Sequence, residues 1–295
     1  MSTWTDEATT RLAGGGRVSY AQFGAGQGRP VMFFHGTPGN RHADYLGEWG
    51  RRFNIRFVVP ERPGFGRSSF QRDRRLLDWP PIVSSLADHL GLDRFTVLGV
   101  SGGGPYSLAC AYALPERVAR AICVSGVGPP DAPVEGMSAA NQQILAESLV
   151  QPGRQGAKLA IGYAIVPRFA ERFVDKLPAS MPEPDRVLRL RPDIRETFLQ
   201  AMRTVRLRDA RAAAHDFRTY ARPWGFSLRD IRTHVDVWQG VDDTSVPVST
   251  AQWMADQMPD ASLTLVDDAG HLLVFGHWRE ILTAAGFVES AVAAS

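Results

Sequence analysis

Short apolar runs that alternate with helical patterns constrain the fold of this chain more than any other feature of its sequence. Each run is rich in β-branched or aromatic residues and is bounded by turn residues, which is typical of strands buried on both faces. The runs cover residues 17–24, 30–36, 55–61, 95–101, 121–128, 235–240 and 263–271. Helical patterns occur at about 40–52, 78–91, 102–113, 249–258 and 277–290. This alternation predicts an α/β fold, a parallel sheet with helices on both of its faces.

Two departures from the alternation predict additions to this sheet. Near the start, ATTRL and RVSYAQF are separated by AGGG, which predicts a hairpin and antiparallel strands at one sheet edge. Further on, the strand signal disappears and helical segments punctuated by prolines take over. The sequence therefore predicts a core formed by residues 1–128 and 233–295, with a helical cap inserted at 129–232. Such a cap would lie over the carboxyl ends of the strands, where open α/β sheets bind their ligands.

Composition and charge exclude several classes of protein. Of the 295 residues, 44% are hydrophobic and 22% are charged, as in ordinary globular proteins with a large core. The formal net charge of +2 gives no general attraction to nucleic acid. Arginines crowd residues 186–232, and we interpret them as solvated helix faces rather than as an anion-binding surface. The expected partner is a small molecule.

Targeting and cysteine usage predict a cytoplasmic protein. The expected oligomeric state is a monomer or a homodimer. The first ten residues are acidic and lack the pattern of an export signal. No apolar run approaches the roughly 18 residues that would span a bilayer, so no membrane association is expected. Cys110 and Cys123 have apolar neighbours and no CxxC spacing, which favours buried, reduced thiols over a redox pair.

A single serine among glycines lies between a predicted strand and a predicted helix, in LGVSGGGPY. Gly99, Ser101 and Gly103 fit the pattern G-x-S-x-G. A sharp strand-to-helix turn holds the serine in a strained conformation, and the two glycines prevent a collision across that turn. The turn has no lysine for a phosphate loop and no G-x-G-x-x-G for a dinucleotide. We therefore predict that Ser101 is a nucleophile.

A serine hydroxyl is a weak nucleophile, so it needs a base, and the base needs an orienting carboxylate. In this topology the expected order along the chain is serine, acid, histidine. His271 follows the last predicted strand, whereas His277 begins the final helical pattern and is interpreted as a surface residue. The candidate acids follow neighbouring predicted strands. They are Asp243, with Asp242 and Asp131 as alternatives.

Four motifs resemble those of the α/β-hydrolase superfamily, which includes esterases, lipases and lactonases. HGTPG at 35–39 is similar to the HG-x-P-G turn, and ERPGFGRS at 61–68 is similar to the D-x-P-G-x-G-x-S loop, with glutamate in place of aspartate. The third motif is the turn at 99–103, and the fourth combines GVDDTSVP at 240–247 with GH at 270–271. The resemblance covers nearly the whole chain except the cap. It implies a mostly parallel, eight-stranded sheet flanked by helices.

The resemblance also implies roles for individual residues. Counting three residues from Gly240 favours Asp243 over Asp242 as the acid that orients His271. The resemblance implies acyl transfer from a carboxylic ester, thioester, lactone or amide, with an acyl-enzyme on Ser101 and without a metal or cofactor. Further residues are implied at the oxyanion hole, through their backbone amides, and in support of its loop. They are Thr37 and Gly102 in the hole, with His35 and Gly36 as support.

Substrate recognition is the least constrained part of this prediction. Most apolar side chains of the cap are expected in its own core, but Phe169, Tyr220 and Trp224 are candidates for lining an apolar pocket. Three alternatives stay open at this point. One is a non-hydrolytic enzyme of the same fold, such as a perhydrolase, haloperoxidase or lyase. The others are an amidase similar to proline iminopeptidases and a small-ligand receptor with slow turnover.

Overall fold

The structure, a computed structural model, describes residues 4–12, 14–177 and 181–290. Its strands are β1 (Trp4–Arg11), β2 (Arg17–Gly24), β3 (Arg29–Phe34), β4 (Ile55–Pro60), β5 (Phe95–Val100), β6 (Val118–Val124), β7 (Val235–Gly240) and β8 (Ala261–Val266). In the described residues these strands form one eight-stranded sheet in the order β1-β2-β4-β3-β5-β6-β7-β8. β2 pairs antiparallel with β1 and β4, and the other neighbours are parallel. The predicted sheet and hairpin are confirmed; Ala13, the first residue of the AGGG segment, lies outside the described residues.

Helices cover both faces of this sheet because alternate strand residues point to opposite sides. Met32 and Phe34 of β3 pack in one apolar cluster, whereas Val31 and Phe33 pack in the other. The first cluster is covered by α2 (Trp79–His89), α3 (Gly104–Ala113) and α10 (Val248–Gln257). The second is covered by α1 (Leu46–Arg52), α11 (Leu273–Gly276) and α12 (Trp278–Ala284).

Several element boundaries differ from the sequence prediction for local reasons. β6 begins three residues before the predicted run because Arg120 interrupts its apolar pattern; the arginine donates two hydrogen bonds to Asp236 on β7. The helix predicted at 277–290 ends at Ala284, since Gly286 takes a φ of +79° and its amide donates to the Thr283 carbonyl. The helix predicted at 40–52 begins only at Leu46.

An all-helical insertion separates β6 from β7. It contains α4 (Ala139–Val150), α5 (Pro152–Ile165), α6 (Ala170–Asp175), α7 (Glu183–Leu190), α8 (Pro192–Thr204) and α9 (Asp209–Tyr220). Proline is the first residue of α5 and α8, where its missing N–H breaks no helical hydrogen bond. The cap boundaries at 129 and 232 remain a prediction, which this run of helices supports.

The peripheral features agree with the expectations from composition. Several arginines of the insertion pair with acidic side chains on exposed helix faces, as Arg195 does with Asp175 and Arg203 with Glu171. Cys110 and Cys123 are buried with free thiols, and burial raises the pKa of the Cys123 thiol to about 12. Within the described ranges, no helix is long and apolar enough to cross a membrane.

Candidate active site

Three residues from distant parts of the chain meet at the carboxyl edge of the sheet. Ser101 directly follows β5, Asp243 follows β7 and His271 follows β8. His271 Nε2 lies 2.9 Å from Ser101 Oγ, and His271 Nδ1 lies 2.8 Å from Asp243 Oδ2. The imidazole therefore bridges a hydroxyl and a carboxylate, which is the geometry that a general base needs to activate a serine.

Ser101 lies on a strained turn between β5 and α3. Its φ is +53°, a left-handed conformation that costs a non-glycine residue on the order of 1–3 kcal/mol. A Cβ added to Gly99 would overlap the Gly103 carbonyl, and one added to Gly103 would overlap the Phe34 carbonyl on β3. The glycines at 99 and 103 thus have the steric role that the sequence predicts for them.

Gly103→Ala is expected to destabilise the protein by about 3 kcal/mol, because the new methyl group collides with backbone rather than with a flexible side chain. Gly162→Ala in α5 is the matched control. Apart from its chain neighbours and the backbone of its own helix, no described atom lies within 4 Å of its added Cβ, so we expect a gain of up to about 1 kcal/mol. Urea unfolding of both variants measures the difference. A Gly103→Ala protein as stable as wild type would contradict this packing argument.

Asp243 is buried and fully hydrogen-bonded. Its Oδ1 accepts from the amides of Ser245 at 2.7 Å and Val246 at 2.9 Å, while Oδ2 accepts from Gln239 Nε2 at 3.0 Å as well as from His271. Burial by itself would raise the pKa of Asp243, but the charge and hydrogen bond of His271, with the other donors, lower it. Asp243 is therefore ionised, and its Oδ2 is directed at the imidazole.

The electrostatic environment of His271 favours its protonated form. Burial alone would lower its pKa, but the charge and hydrogen bond of Asp243, followed by the charge of Asp185, raise it above the ordinary value. The alternatives named from the sequence do not reach this position: Asp242 and Asp131 are exposed, and His277 lies at the start of α12. The contact with the imidazole thus selects Asp243 among the three acids.

The loop after β3 lies directly against the turn of Ser101. A Cβ added to Gly102 would come within 2.7 Å of Thr37 Oγ1 and 2.6 Å of the Tyr220 hydroxyl, so glycine lets the two segments approach closely. Gly36 also faces Ser101, with 3.5 Å between its added Cβ and that of the serine. The backbones of Thr37 and Gly102, the predicted oxyanion donors, are therefore adjacent beside the hydroxyl.

A buried charge cluster supports this loop. Arg62 donates to the carbonyls of His35 at 2.6 Å and Gly36 at 3.0 Å, and to Thr37 Oγ1 at 2.8 Å. Its Nε donates to Asp216 of α9 at 2.9 Å. His35 is buried beside this guanidinium; burial, followed by the charge of Arg62, lowers its pKa to about 3. His35 is thus neutral and takes part in loop architecture.

Asp216 is the centre of that cluster. Besides Arg62, its carboxylate accepts from Arg74, from the Tyr106 hydroxyl at 2.7 Å and from Thr37 Oγ1 at 2.9 Å. Burial would raise the pKa of Asp216, but the two arginines together lower it well below the usual range. A helix of the insertion thereby holds the loop that faces Ser101.

Glu61, which replaces the aspartate of the resembling loop, is also satisfied. It is buried, and its carboxylate accepts from Arg41 at 3.0 Å, from the Ser19 hydroxyl and from the Arg67 amide at 3.2 Å. Gly66 has a φ of +51°, and a Cβ at this position would overlap the glutamate carboxylate. The longer side chain is thus accommodated beside Gly66, with both carboxylate oxygens hydrogen-bonded.

Two cavities meet at Ser101 and His271. The first, of about 250 Å³, is lined on one side by Phe198 and Phe275. The second, of about 310 Å³, is lined by Phe217 and Tyr220. Thr37 and Pro38 also line both cavities. The accessible surface of each cavity is mainly apolar, and the described lining residues include no lysine or arginine. The site can therefore enclose a neutral molecule with one apolar arm on each side of the serine.

The three residues suggested for substrate binding have different positions. Tyr220 lines the second cavity, and its hydroxyl lies 2.7 Å from Thr37 Oγ1. Phe169 does not line either cavity, because it precedes α6 with 52% of its surface exposed. Trp224 is buried in the core, where its Nε1 donates to the Tyr220 carbonyl. Neither Phe169 nor Trp224 thus lines the two cavities at Ser101, whereas Phe198 and Phe217, which the sequence analysis did not select, do.

Sequence reasoning also missed the buried aspartates that the insertion directs to this site. Asp216 and Asp185 lie on helices of a segment in which charged residues are usually solvated. One available signal for Asp216 was Arg62 in ERPGFGRS, since a buried arginine requires a carboxylate partner. The pattern does not say which of the many aspartates supplies it.

Comparisons with known proteins agree with this architecture. A family profile described as alpha/beta hydrolase fold matches residues 29–277. The uncharacterized hydrolase YcgS of Bacillus subtilis is 32% identical over 108 residues, 35% of this chain and 36% of that protein. A 2-hydroxy-6-oxo-2,4-heptadienoate hydrolase of Pseudomonas putida is 26% identical over 291 residues, 94% of this chain and 92% of that protein.

Solved structures share the fold. The crystal structure of a hydrolase from Pseudomonas aeruginosa PA01 has a TM-score of 0.69 and 19% identity, covering 95% of this chain and 97% of that one. Among the curated relatives, the chain spans little more than a third of the YcgS protein and nearly all of the Pseudomonas putida hydrolase. Because the family profile covers most of its length, this chain belongs to the alpha/beta hydrolase fold family.

Proposed function

We propose that this protein is a serine hydrolase that cleaves a carboxylic ester, or a related thioester, lactone or amide, of a small and largely apolar substrate. The observation that carries the proposal is the continuous hydrogen-bonded chain from Ser101 through His271 to Asp243, in a protein of a hydrolase fold family. The reaction proceeds through an acyl-enzyme on Ser101.

The first half of the reaction attaches the acyl group to the enzyme. His271 Nε2 takes the proton of the Ser101 hydroxyl as the oxygen attacks the substrate carbonyl. Asp243 accepts from Nδ1, which fixes the imidazole tautomer and stabilises the imidazolium that forms. The imidazolium then protonates the leaving alcohol as the bond to the carbonyl carbon breaks. In the second half, His271 takes a proton from a water that attacks the acyl carbonyl, and it returns this proton to Ser101 Oγ as the bond between Oγ and the acyl carbon breaks and the acid product leaves.

Negative charge on the carbonyl oxygen needs preorganised donors. The backbone amides of Gly102 and Thr37 are the donors that we assign, because their segments lie together beside Ser101. Losing one donor from such a hole costs about 3–4 kcal/mol, or roughly 10²- to 10³-fold in turnover. Arg62 supports the oxyanion hole by donating hydrogen bonds to the carbonyls of His35 and Gly36 in the loop that carries Thr37.

The cavities support a neutral substrate with two arms of moderate size. Cavities of about 250 and 310 Å³ on the two sides of Ser101 offer space for an acyl group and an alcohol group. The name of the Pseudomonas putida relative specifies a dienoate, which carries a carboxylate. In the described part of the chain, neither cavity offers a lysine or arginine to pair with such a group. An uncharged ester therefore fits these linings better.

A fluorophosphonate probe tests the proposal directly. The wild-type protein is expected to gain one covalent adduct on the peptide that contains Ser101, and Ser101→Ala is expected to gain none. Because the neutral imidazole is the active base, the labelling rate should fall as the pH decreases through the raised pKa of His271. Intact-protein mass and peptide mapping measure both results. An unlabelled wild type, or equal labelling of the alanine variant, would remove the proposed nucleophile.

A further inference from the structure

A carboxylate from the helical insertion holds the loop that carries His271. Asp185 lies in the first turn of α7 and is buried. Its Oδ2 accepts from the amide of His271 at 2.9 Å, and its Oδ1 accepts from the amide of Leu272 at 2.8 Å. Both carboxylate oxygens are thus used by two consecutive amides, which fixes the direction of the loop. Burial raises the pKa of Asp185 above its ordinary value, and these two hydrogen bonds oppose that rise by favouring the ionised form.

The residue before the histidine is shaped to receive this carboxylate. A Cβ added to Gly270 would come within 2.5 Å of three atoms of the Asp185 carboxyl group. Any larger residue at 270 would push the carboxylate away from the two amides. The glycine of the GH motif is therefore required here by contact with α7.

Asp185 also contributes charge at the imidazole. Among the described residues, the charged groups that face His271 are Asp243, from the loop after β7, and Asp185, from α7; the Ser101 hydroxyl completes its surroundings. Asp185 is itself faced by His271, by Asp243 and by Arg189 one turn later on α7. Arg189 donates to the Val174 carbonyl and lies over the Phe198 ring. Asp185 is thus a second negative group near His271, bonded to its backbone amide while its charge acts on the imidazole.

We propose that Asp185 is a positioning residue for His271, keeping Nε2 at the Ser101 hydroxyl through two backbone hydrogen bonds and stabilising the imidazolium with its charge. The inference rests on the proposed function for the role of His271 as the base. It adds that α7 of the insertion is needed for a competent base, although the helix supplies none of the three residues of the hydrogen-bonded chain.

A simple tether between insertion and core is the competing explanation, and Asp209 provides its matched control. Asp209 is also a buried carboxylate on an insertion helix, α9, and it accepts from the amides of Gly66 at 3.1 Å and Arg206 at 2.9 Å. It has the same chemistry, but in the described structure it bonds to other segments than the His271 loop, and its charge is not among those that act on the imidazole. Asp209→Asn therefore measures the loss of a tether alone.

The experiment compares Asp185→Asn with Asp209→Asn. The asparagine at 185 removes the charge and directs an NH₂ group at one of the amides. We expect kcat to fall by about 10²-fold with KM changed less than about threefold, since a misplaced base costs roughly that factor. The acid limb of kcat/KM should move to lower pH, because the imidazole loses a negative neighbour. For Asp209→Asn we expect an unmoved limb and kcat within about threefold of wild type.

An NMR titration of the His271 ring in a Ser101→Ala background gives a readout that does not depend on turnover. Adding Asp185→Asn is expected to lower the pKa of His271, whereas adding Asp209→Asn is expected to leave it unchanged. If Asp185→Asn fails to fold, Asp185→Ser, which retains one hydrogen-bond acceptor, replaces it. An unmoved His271 titration, or equal effects of both substitutions, would overturn the inference. A shifted titration, together with a wild-type protein that gains no fluorophosphonate adduct on Ser101, would overturn the proposed function alone.

Discussion

Ser101→Ala is expected to lower turnover by about 10⁶-fold, because removing the nucleophile of such a hydrogen-bonded chain costs about as much as removing the whole chain. The alanine removes the only atom that forms the acyl-enzyme, and the base then has no hydroxyl to activate. A residual rate of about 10³ to 10⁴ over the uncatalysed reaction should remain from the oxyanion donors and binding. Substrate affinity should change little, because both cavities keep their apolar walls. Single-turnover kinetics and calorimetric binding of an uncleaved ester analogue separate the two effects.

Ser125→Ala is the matched control for this loss. Ser125 follows β6, the strand next to β5, is fully buried and also has a positive φ, of +46°. It therefore resembles Ser101 in backbone conformation and location, but it is absent from the hydrogen-bonded chain in the described structure. Turnover of Ser125→Ala is expected within a fewfold of wild type. Retention of more than about 1% of wild-type turnover by Ser101→Ala would show that another group attacks the substrate.

Asp216→Ala is expected to destabilise the protein by about 3–5 kcal/mol at pH 7, the largest stability effect that the structure indicates. The substitution leaves Arg62 and Arg74 in the interior without the carboxylate that balances them. Tyr106 also loses its acceptor. Urea unfolding followed by tryptophan fluorescence measures the loss. Asp175→Ala is the control, since its ion pair with Arg195 is exposed and should contribute no measurable stability.

The pH dependence of this effect has a definite sign. The pKa of Asp216 is lower in the folded protein than in the unfolded chain, so its contribution is complete above the ordinary aspartate pKa of about 4. That contribution is lost only as the pH falls through the lower, folded-state pKa. The stability difference between wild type and Asp216→Ala should therefore persist at pH 5. A difference below about 1 kcal/mol at pH 7 would show that the two arginines find other compensation.

Local sequence signals predicted the parts of the site that depend on one turn. Ser101 and its flanking glycines are readable because a strained strand-to-helix turn admits few residues. His271 and Asp243 are predictable because parallel strands end at a common edge of the sheet, so that residues which follow neighbouring strands lie close together. Sheet topology thus converts sequence order directly into the geometry of this chain.

The insertion was less predictable because its helices pack by faces whose direction the sequence leaves open. Phe169 and Phe198 have similar apolar neighbourhoods in the sequence, yet one is half exposed and the other lines the first cavity. Asp185 and Asp216 likewise resemble solvated helix residues until the docking of α7 and α9 is known. These positions are set by tertiary packing between distant segments, which no local period encodes.

The two inward aspartates have a consequence for engineering this scaffold. Exchanging the insertion for that of a relative is an obvious route to a new substrate range, since its helices contribute Phe198 to the first cavity and Phe217 and Tyr220 to the second. A foreign segment that lacked both carboxylates would leave the amides of the His271 loop without their acceptor. It would also leave two buried arginines without a carboxylate partner. Transplants into this chain should therefore carry the equivalents of Asp185 and Asp216, or replace Arg62 and Arg74 with uncharged side chains at the same time.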